Sequence, residues 1–389
     1  ALLWLTPALA EQDLFALELE QLMAIEIASV SRRTETLTDS AAAITVLTSE
    51  QIRRSSATTI PDLLRTVPGL YVAQVNASKW AISLRGFGTR FSRGVLILID
   101  GRSMYRFMPD ANYHGGLDVP LSQVKRIEII RGAGGTLWGD NATNGIINII
   151  TRDANDEHGG GAEFMAGQNS PSSLSIHQNG ELNDNLHFQV YADRTDQSAS
   201  PVDQPKDNEK FDDWQSTRTG GELAWANGGS DQFGLRFDAS DSHLGRGSFG
   251  NWFIPKQGEN VNQGTSEISQ TTLQGSWQHR WQDGRQLDTE MHHSWVRNKG
   301  LLIQERWQQF NLDTKYQQTV GRHHLLAGLG LRRESSKTPV NPAFGFQPAK
   351  RTEYTYSGFI DDQFDLTQKL TAELGARWER RNRTGFQLQ

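Results

Sequence analysis

The chain has 389 residues, 36% of them hydrophobic, with a net charge of -6, so no general basic surface points to nucleic acid. It contains no cysteine, which excludes disulfides, thiol catalysis and cysteine-based metal sites. The longest aliphatic run in the body of the chain, 95–99, is far short of the roughly 20 residues of a spanning helix. Strands that alternate average out as polar, however, and a membrane β-barrel stays open.

The first ten residues, ALLWLTPALA, are apolar and end in Ala8-Leu9-Ala10. They read as a signal-peptide remnant with its small-residue cleavage site, the alternative being part of a buried helix. Residues 12–24 suggest a short helix with Leu14, Phe15, Leu19, Leu22 and Met23 roughly on one face. An extended segment, IEIASVS (25–31), follows, then the polar RRTETLTDS.

A compact α+β unit is expected over 39–154. Its first strand covers 43–47, followed by the capping signals Thr48-Ser49-Glu50-Gln51. Thr58, Thr59 and Pro61 open a second helix over 62–66, which Val67-Pro68-Gly69 ends. Strands follow at 70–75, 81–84 and 95–99, the last closing on the turn signal Asp100-Gly101. Two more apolar runs, 124–130 and 146–150, flank a segment rich in glycine. Neither GFG (86–88) nor GAGG (132–135) continues as a phosphate loop.

Residues 153–161, DANDEHGGG, read as a hinge, and beyond them the text alternates strictly. Phe233, Leu235, Phe237 and Ala239, for example, interleave with Gln232, Gly234, Arg236 and Asp238. Short connections near 183–185, 227–231, 282–285, 319–322 and 367–369 alternate with long polar ones at 197–215, 242–265 and 335–351. This is the period and loop asymmetry of a membrane barrel wall, with ten or eleven strands over 155–389. A soluble sandwich would also alternate, but several runs exceed its usual five or six residues.

The segments LRGFGTR (84–90), VLILIDGRSMY (95–105) and VKRIEIIRGAGGTLWGDNATNGIINIITR (124–152) occur in one colinear order. Together they resemble the plug domain of TonB-dependent outer-membrane transporters. The resemblance implies a plug followed by an antiparallel transmembrane β-barrel in the outer-membrane lipid of a Gram-negative bacterium. Family barrels have about 22 strands, so the chain is expected to be a fragment holding about half of one.

The resemblance also implies partners and sites. Ile25, Glu26, Ile27, Ala28, Ser29, Val30 and Ser31 stand where the family carries the TonB box, captured by strand addition to TonB, which ExbB and ExbD energise; the alternative is an ordinary linker strand. Arg85 and Arg131 are expected to pair with wall glutamates, or else to stabilise the plug alone. Ligand contacts are expected from Lys79, Trp80, Arg90, Tyr105, Arg106 and Tyr113, whose charges and rings suit a ferric siderophore; packing is the alternative for the rings. Cobalamin is the second ligand, and a surface receptor without transport the second class.

No catalytic constellation, cofactor site or metal site is expected. His292-His293 and His323-His324 are neighbours in strands and point to opposite faces. The acidic loop 203–213 offers oxygens for Ca²⁺ but no EF-hand spacing, which favours a solvated loop.

Overall fold

A computed structural model of the chain describes residues 26–27, 35–36, 42–86, 94–106, 113–114, 119–132, 138–139, 142–156, 158–167, 171–199, 212–245, 265–300, 304–339, 346–367 and 370–388. The expected signal remnant, the helix over 12–24 and most of the loop 203–213 lie outside them. Near the N-terminus, β1 (Glu26–Ile27) and β2 (Glu35–Thr36) form an antiparallel pair.

The α+β unit begins with β3 (Ala43–Thr48). The Thr48 hydroxyl accepts from the Gln51 N–H, and the Gln51 side chain accepts from the Thr48 N–H. This reciprocal cap satisfies two end donors and starts α1 (Ser49–Arg54). α2 (Ile60–Arg65) is capped by Thr59 and carries Pro61 in its first turn, so it starts two residues before the expected 62.

β4 (Leu70–Asn76) and β5 (Lys79–Leu84) come next, then β6 (Val95–Ile99), β7 (Arg102–Ser103) and β8 (Tyr113–His114). β9 (Val124–Arg131) and β10 (Gly145–Thr151) complete the unit. One sheet has the order β4-β5-β8, and the main sheet β3-β9-β10-β6-β7, with β10–β6 its parallel pair.

The main sheet is buried on both faces, which is why its strands read as continuous aliphatic runs. Ile97, Ile127, Ile129 and Ile147 meet Ile52, Ile60, Leu63 and Leu64 of the helices. Leu96, Leu98, Ile130 and Ile146 pack on the other side with Ala142 and Trp138. Gly145 is required where β10 meets β9: a Cβ there would lie 2.3 Å from the Ile130 carbonyl oxygen.

The described strands after β10 form one antiparallel sheet, each paired with its neighbours in sequence. Its strands are β11 (Gly159–Met165), β12 (Ser172–Asn183), β13 (Leu186–Gln197), β14 (Trp214–Ala226), β15 (Asp231–Leu244) and β16 (Ser266–Arg280). They continue as β17 (Gln286–Gly300), β18 (Gln304–Val320), β19 (His323–Lys337), β20 (Lys350–Thr367), β21 (Leu370–Arg381) and β22 (Gly385–Leu388). Most exceed the roughly 9–11 residues that carry a tilted strand across a bilayer.

No helix among the described residues is long and apolar enough to cross a membrane. The apolar set faces outward: Leu174, Ile176, Val190, Phe233, Leu235, Phe237, Leu329 and Ile360 are all exposed. The inward set is polar and meets the α+β unit. Near the short-turn end a row of rings crosses the strands, Trp225–Phe233–Trp277–His279–Trp281–Tyr316, with successive centroids 4.4 to 6.3 Å apart.

Two sequence expectations are corrected here. Residues 159–161 are the start of β11, not hinge, because pairing with β12 outweighs the glycine signal. Among the described residues the wall has twelve strands rather than ten or eleven, the last of them, β22, only four residues long.

Candidate functional site

The site is the seam between the α+β unit and the inner face of the wall. Among the described residues no strand of one pairs with a strand of the other. The seam is therefore built from side chains and from single backbone groups.

Its centre is the two-residue turn from β6 to β7. Asp100 has φ 49° and Gly101 φ 74°, the double positive φ of a type I′ hairpin. This geometry aims the Asp100 carboxylate at the end of β10, where it accepts from the Thr151 N–H at 2.8 Å and the Thr151 hydroxyl at 2.9 Å. It also accepts from Arg236 of β15 at 2.7 Å.

Arg236 spreads its guanidinium over the whole junction. It donates to the Thr151 hydroxyl, to the Arg152 carbonyl at 3.0 Å and to Glu222 of β14 at 2.8 Å. Glu222 in turn accepts from the Ala154 N–H at 3.1 Å. The three ionised side chains are only 13 to 17% exposed, so each depends on the others for compensation. Beside them Tyr191 donates to Asp238, and Arg218 donates to Asp193.

Further ties run along both ends. Toward the long loops, the Ala77 N–H donates to Asp212 and the Ala77 carbonyl accepts from the Trp214 indole, both at 2.8 Å. Ala77 also packs with Trp214, Leu244, Ile268, Val296 and Trp307, an apolar collar on the wall. Arg106 lies 3.6 Å from Glu305, a pair 10% and 1% exposed. On β12 and β13, Ser175 meets Ser122 at 2.6 Å and Gln189 donates to Gln123 at 2.7 Å.

The connection into the wall is held as well. Lys125 reaches Asp153 at 2.9 Å and Asp156 at 2.5 Å. Burial works to lower its pKa, but the hydrogen bonds to Asp156 and Asp153 prevail and raise it above its ordinary value. A cavity of about 540 Å³ opens by Asn155 toward the short-turn end, lined by Glu222, Asp288, Glu290 and Lys315 among others.

The sequence-expected residues fall as follows. Glu26 and Ile27 form β1, while Ile25 and Ala28, Ser29, Val30 and Ser31 lie outside the described residues. Arg85 and Arg131 bond inside the α+β unit. Arg85 donates to the Arg131 carbonyl, and Arg131 donates to the Pro68 carbonyl and the Thr45 hydroxyl. Both stand at strand ends beside the 67–69 turn, Arg85 exposed and Arg131 half-buried. Among the described residues, Arg236 and Arg106 pair with carboxylates across the seam.

Lys79 and Trp80 are 1% and 3% exposed, and Trp80 belongs to the core beneath the helices. The Tyr105 hydroxyl donates to the Val95 carbonyl at 2.6 Å. Tyr113 is in β8, and Arg90 lies outside the described residues. His323 and His324 go to different carboxylates, Asp362 and Asp365.

Residues 36–146 match a family model described as TonB-dependent Receptor Plug Domain. The iron-regulated outer membrane virulence protein of Vibrio cholerae serotype O1 is 25% identical over 359 residues, covering 86% of this chain and 51% of that protein. The vitamin B12 transporter BtuB of Vibrio cholerae is 33% identical over 153 residues, covering 39% of this chain and 24% of that protein. The ferripyoverdine receptor of the Pseudomonas aeruginosa outer membrane, solved with ferripyoverdine bound, superposes with a TM-score of 0.72. It is 17% identical and is matched over 94% of this chain and 55% of its own. The chain thus spans about half the length of the first of these relatives.

Proposed function

Since the chain belongs to the TonB-dependent outer-membrane receptor family, with a plug domain seated against a β-wall, we propose that the whole protein takes up a ferric siderophore across the outer membrane. The outer membrane has no ATP or ion gradient of its own. The work therefore comes from the inner membrane, through TonB with ExbB and ExbD, acting on residues 25–31 as the TonB box. A strand captured at β1 transmits a pull by main-chain hydrogen bonds, with little demand on side chains.

The observation that carries this reading is the character of the seam. A folded domain fills the inner side of a membrane wall and is held there by side-chain bonds, each contributing roughly 1–3 kcal/mol. Such a domain can be shifted without breaking a sheet. Ligand contacts are assigned to Tyr105, which packs inside the plug with Leu96 and Leu98, and to the long-loop end, where Arg106 pairs with Glu305, two residues before Trp307 of the Ala77 collar. Arg90 and Tyr113 are assigned there too. Lys79 and Trp80 would join them only after the apex moves, since both are now enclosed.

Uptake of radiolabelled iron, offered as catecholate and hydroxamate chelates to cells with and without the gene, tests the proposal. Gene-dependent accumulation that disappears when TonB is deleted is expected. Binding without accumulation would leave a surface receptor. Cobalamin is the second reading, supported by the match to BtuB, and labelled cobalamin in the same assay separates the two.

A further inference from the structure

We propose that His158, Glu181 and His187 form a divalent-metal site of the zinc type at the short-turn end of the seam. His158 belongs to the connection that leaves the plug, immediately before β11, whereas Glu181 and His187 face each other across the β12–β13 hairpin. A metal held by all three would fasten that connection to the wall.

The ligand atoms already converge. One nitrogen of each imidazole and one carboxylate oxygen all lie within 4.8 Å of one another. His158 Nε2 is 2.8 Å from Glu181 Oε1, and His187 Nδ1 is 3.9 Å from the same oxygen. The two rings lie side by side, their centroids 5.8 Å apart with 18° between their planes. Zinc bonds of about 2.1 Å in a tetrahedron hold donor atoms about 3.4 Å apart. The two separations from Glu181 Oε1 bracket that value.

A second observation is independent of this convergence. His187 Nδ1 is buried and makes no hydrogen bond among the described residues. A buried polar atom left in this state is costly, and a metal is one of the partners that would satisfy it. Two imidazoles and one carboxylate, without sulfur, suit zinc and its late first-row neighbours, with water in the remaining position. His177, on the same face of β12, stands next in line along the strand and is not needed for the set.

Titration of Zn²⁺ alone into the full-length receptor in detergent tests the proposal, with calorimetry and thermal unfolding as readouts. One strongly bound equivalent and a raised unfolding temperature are expected. His158→Ala, His187→Ala and Glu181→Gln should each weaken binding by about tenfold or more and abolish the thermal shift. Glu181→Gln keeps a hydrogen-bond acceptor for His158 and so guards against a folding defect. A His323→Ala and His324→Ala double variant should bind as the parent does. Absence of binding by the parent overturns the proposal, and so does unchanged affinity in the three site variants. Neither result depends on which ligand the receptor transports.

Discussion

At the scale of single residues, Arg236 is the most consequential side chain in the seam. Its removal leaves Asp100 and Glu222 facing each other with little solvent, a loss of about 3 kcal/mol for a buried charge cluster. Arg236→Ala should therefore speed hydrogen exchange at 149–154 and raise passive conductance in planar bilayers. Asp100→Asn should do less, because asparagine also tolerates the positive φ of this turn. Lys125 offers a test with pH. Its folded pKa is raised above the unfolded value, so its tie to Asp153 and Asp156 is complete below the unfolded value of about 10.4 and fades as pH climbs through the folded one. Exchange at 153–156 should be insensitive to the Lys125 charge from pH 6 to about 9, after correction for the intrinsic rate. Lys125→Met should accelerate it throughout that range.

Those same residues mark the limit of what the amino-acid order discloses. Asp100-Gly101 is legible as a turn, because the dipeptide tolerates positive φ. Its role as an anchor is not legible, because its partner Arg236 lies 136 residues away and reads only as an inward position of an alternating strand. Arg85 and Arg131 stand out in sequence through their flanking glycines, yet Arg85 donates to the Arg131 carbonyl and Arg131 to Pro68 and Thr45, all in the plug itself. His158 and His187 are similarly remote from each other and share no motif spacing.

At the scale of elements, two-sided burial and alternation explain most of the secondary structure, and both can be probed. Gly145→Ala drives a methyl group into the Ile130 carbonyl and the Leu84 side chain, so β10 must move away from β9. A loss of about 3 kcal/mol in plug stability is expected, read as lost folded yield and increased protease cleavage within 124–151. On the wall, Leu235→Arg puts a charge on the outward face in mid-strand and should cost about 2–4 kcal/mol, blocking assembly as judged by heat-modifiable gel mobility. Gln278→Arg, on the inward face of the neighbouring strand beside the cavity and Asp288, should assemble normally. The alternation was readable for long strands, where each face repeats many times. It failed at β11, whose three glycines carry no apolar signal; they make room for Gln178 and His177, which lie across them.

At the scale of the whole molecule, the two units are matched by position rather than by continuous pairing. Among the described residues the sheet runs from β11 to β22, and edges such as these persist in hydrocarbon only when their backbone groups are paired. This chain spans 51% of the first relative, which is therefore long enough to carry further strands. The plug reaches that wall at its apex through Ala77, at its middle through Asp100 and at its end through Ser122 and Gln123.

The most direct test of that seating is a cross-link between Ser122 of the plug and Ser175 of β12, whose hydroxyl oxygens are 2.6 Å apart. These 389 residues hold no cysteine, so Ser122→Cys with Ser175→Cys places just two thiols within them. The account predicts a disulfide that forms nearly completely under mild oxidation in intact outer membranes and joins plug fragments to wall fragments after proteolysis. Two thiols that both react with maleimide yet never join would contradict it.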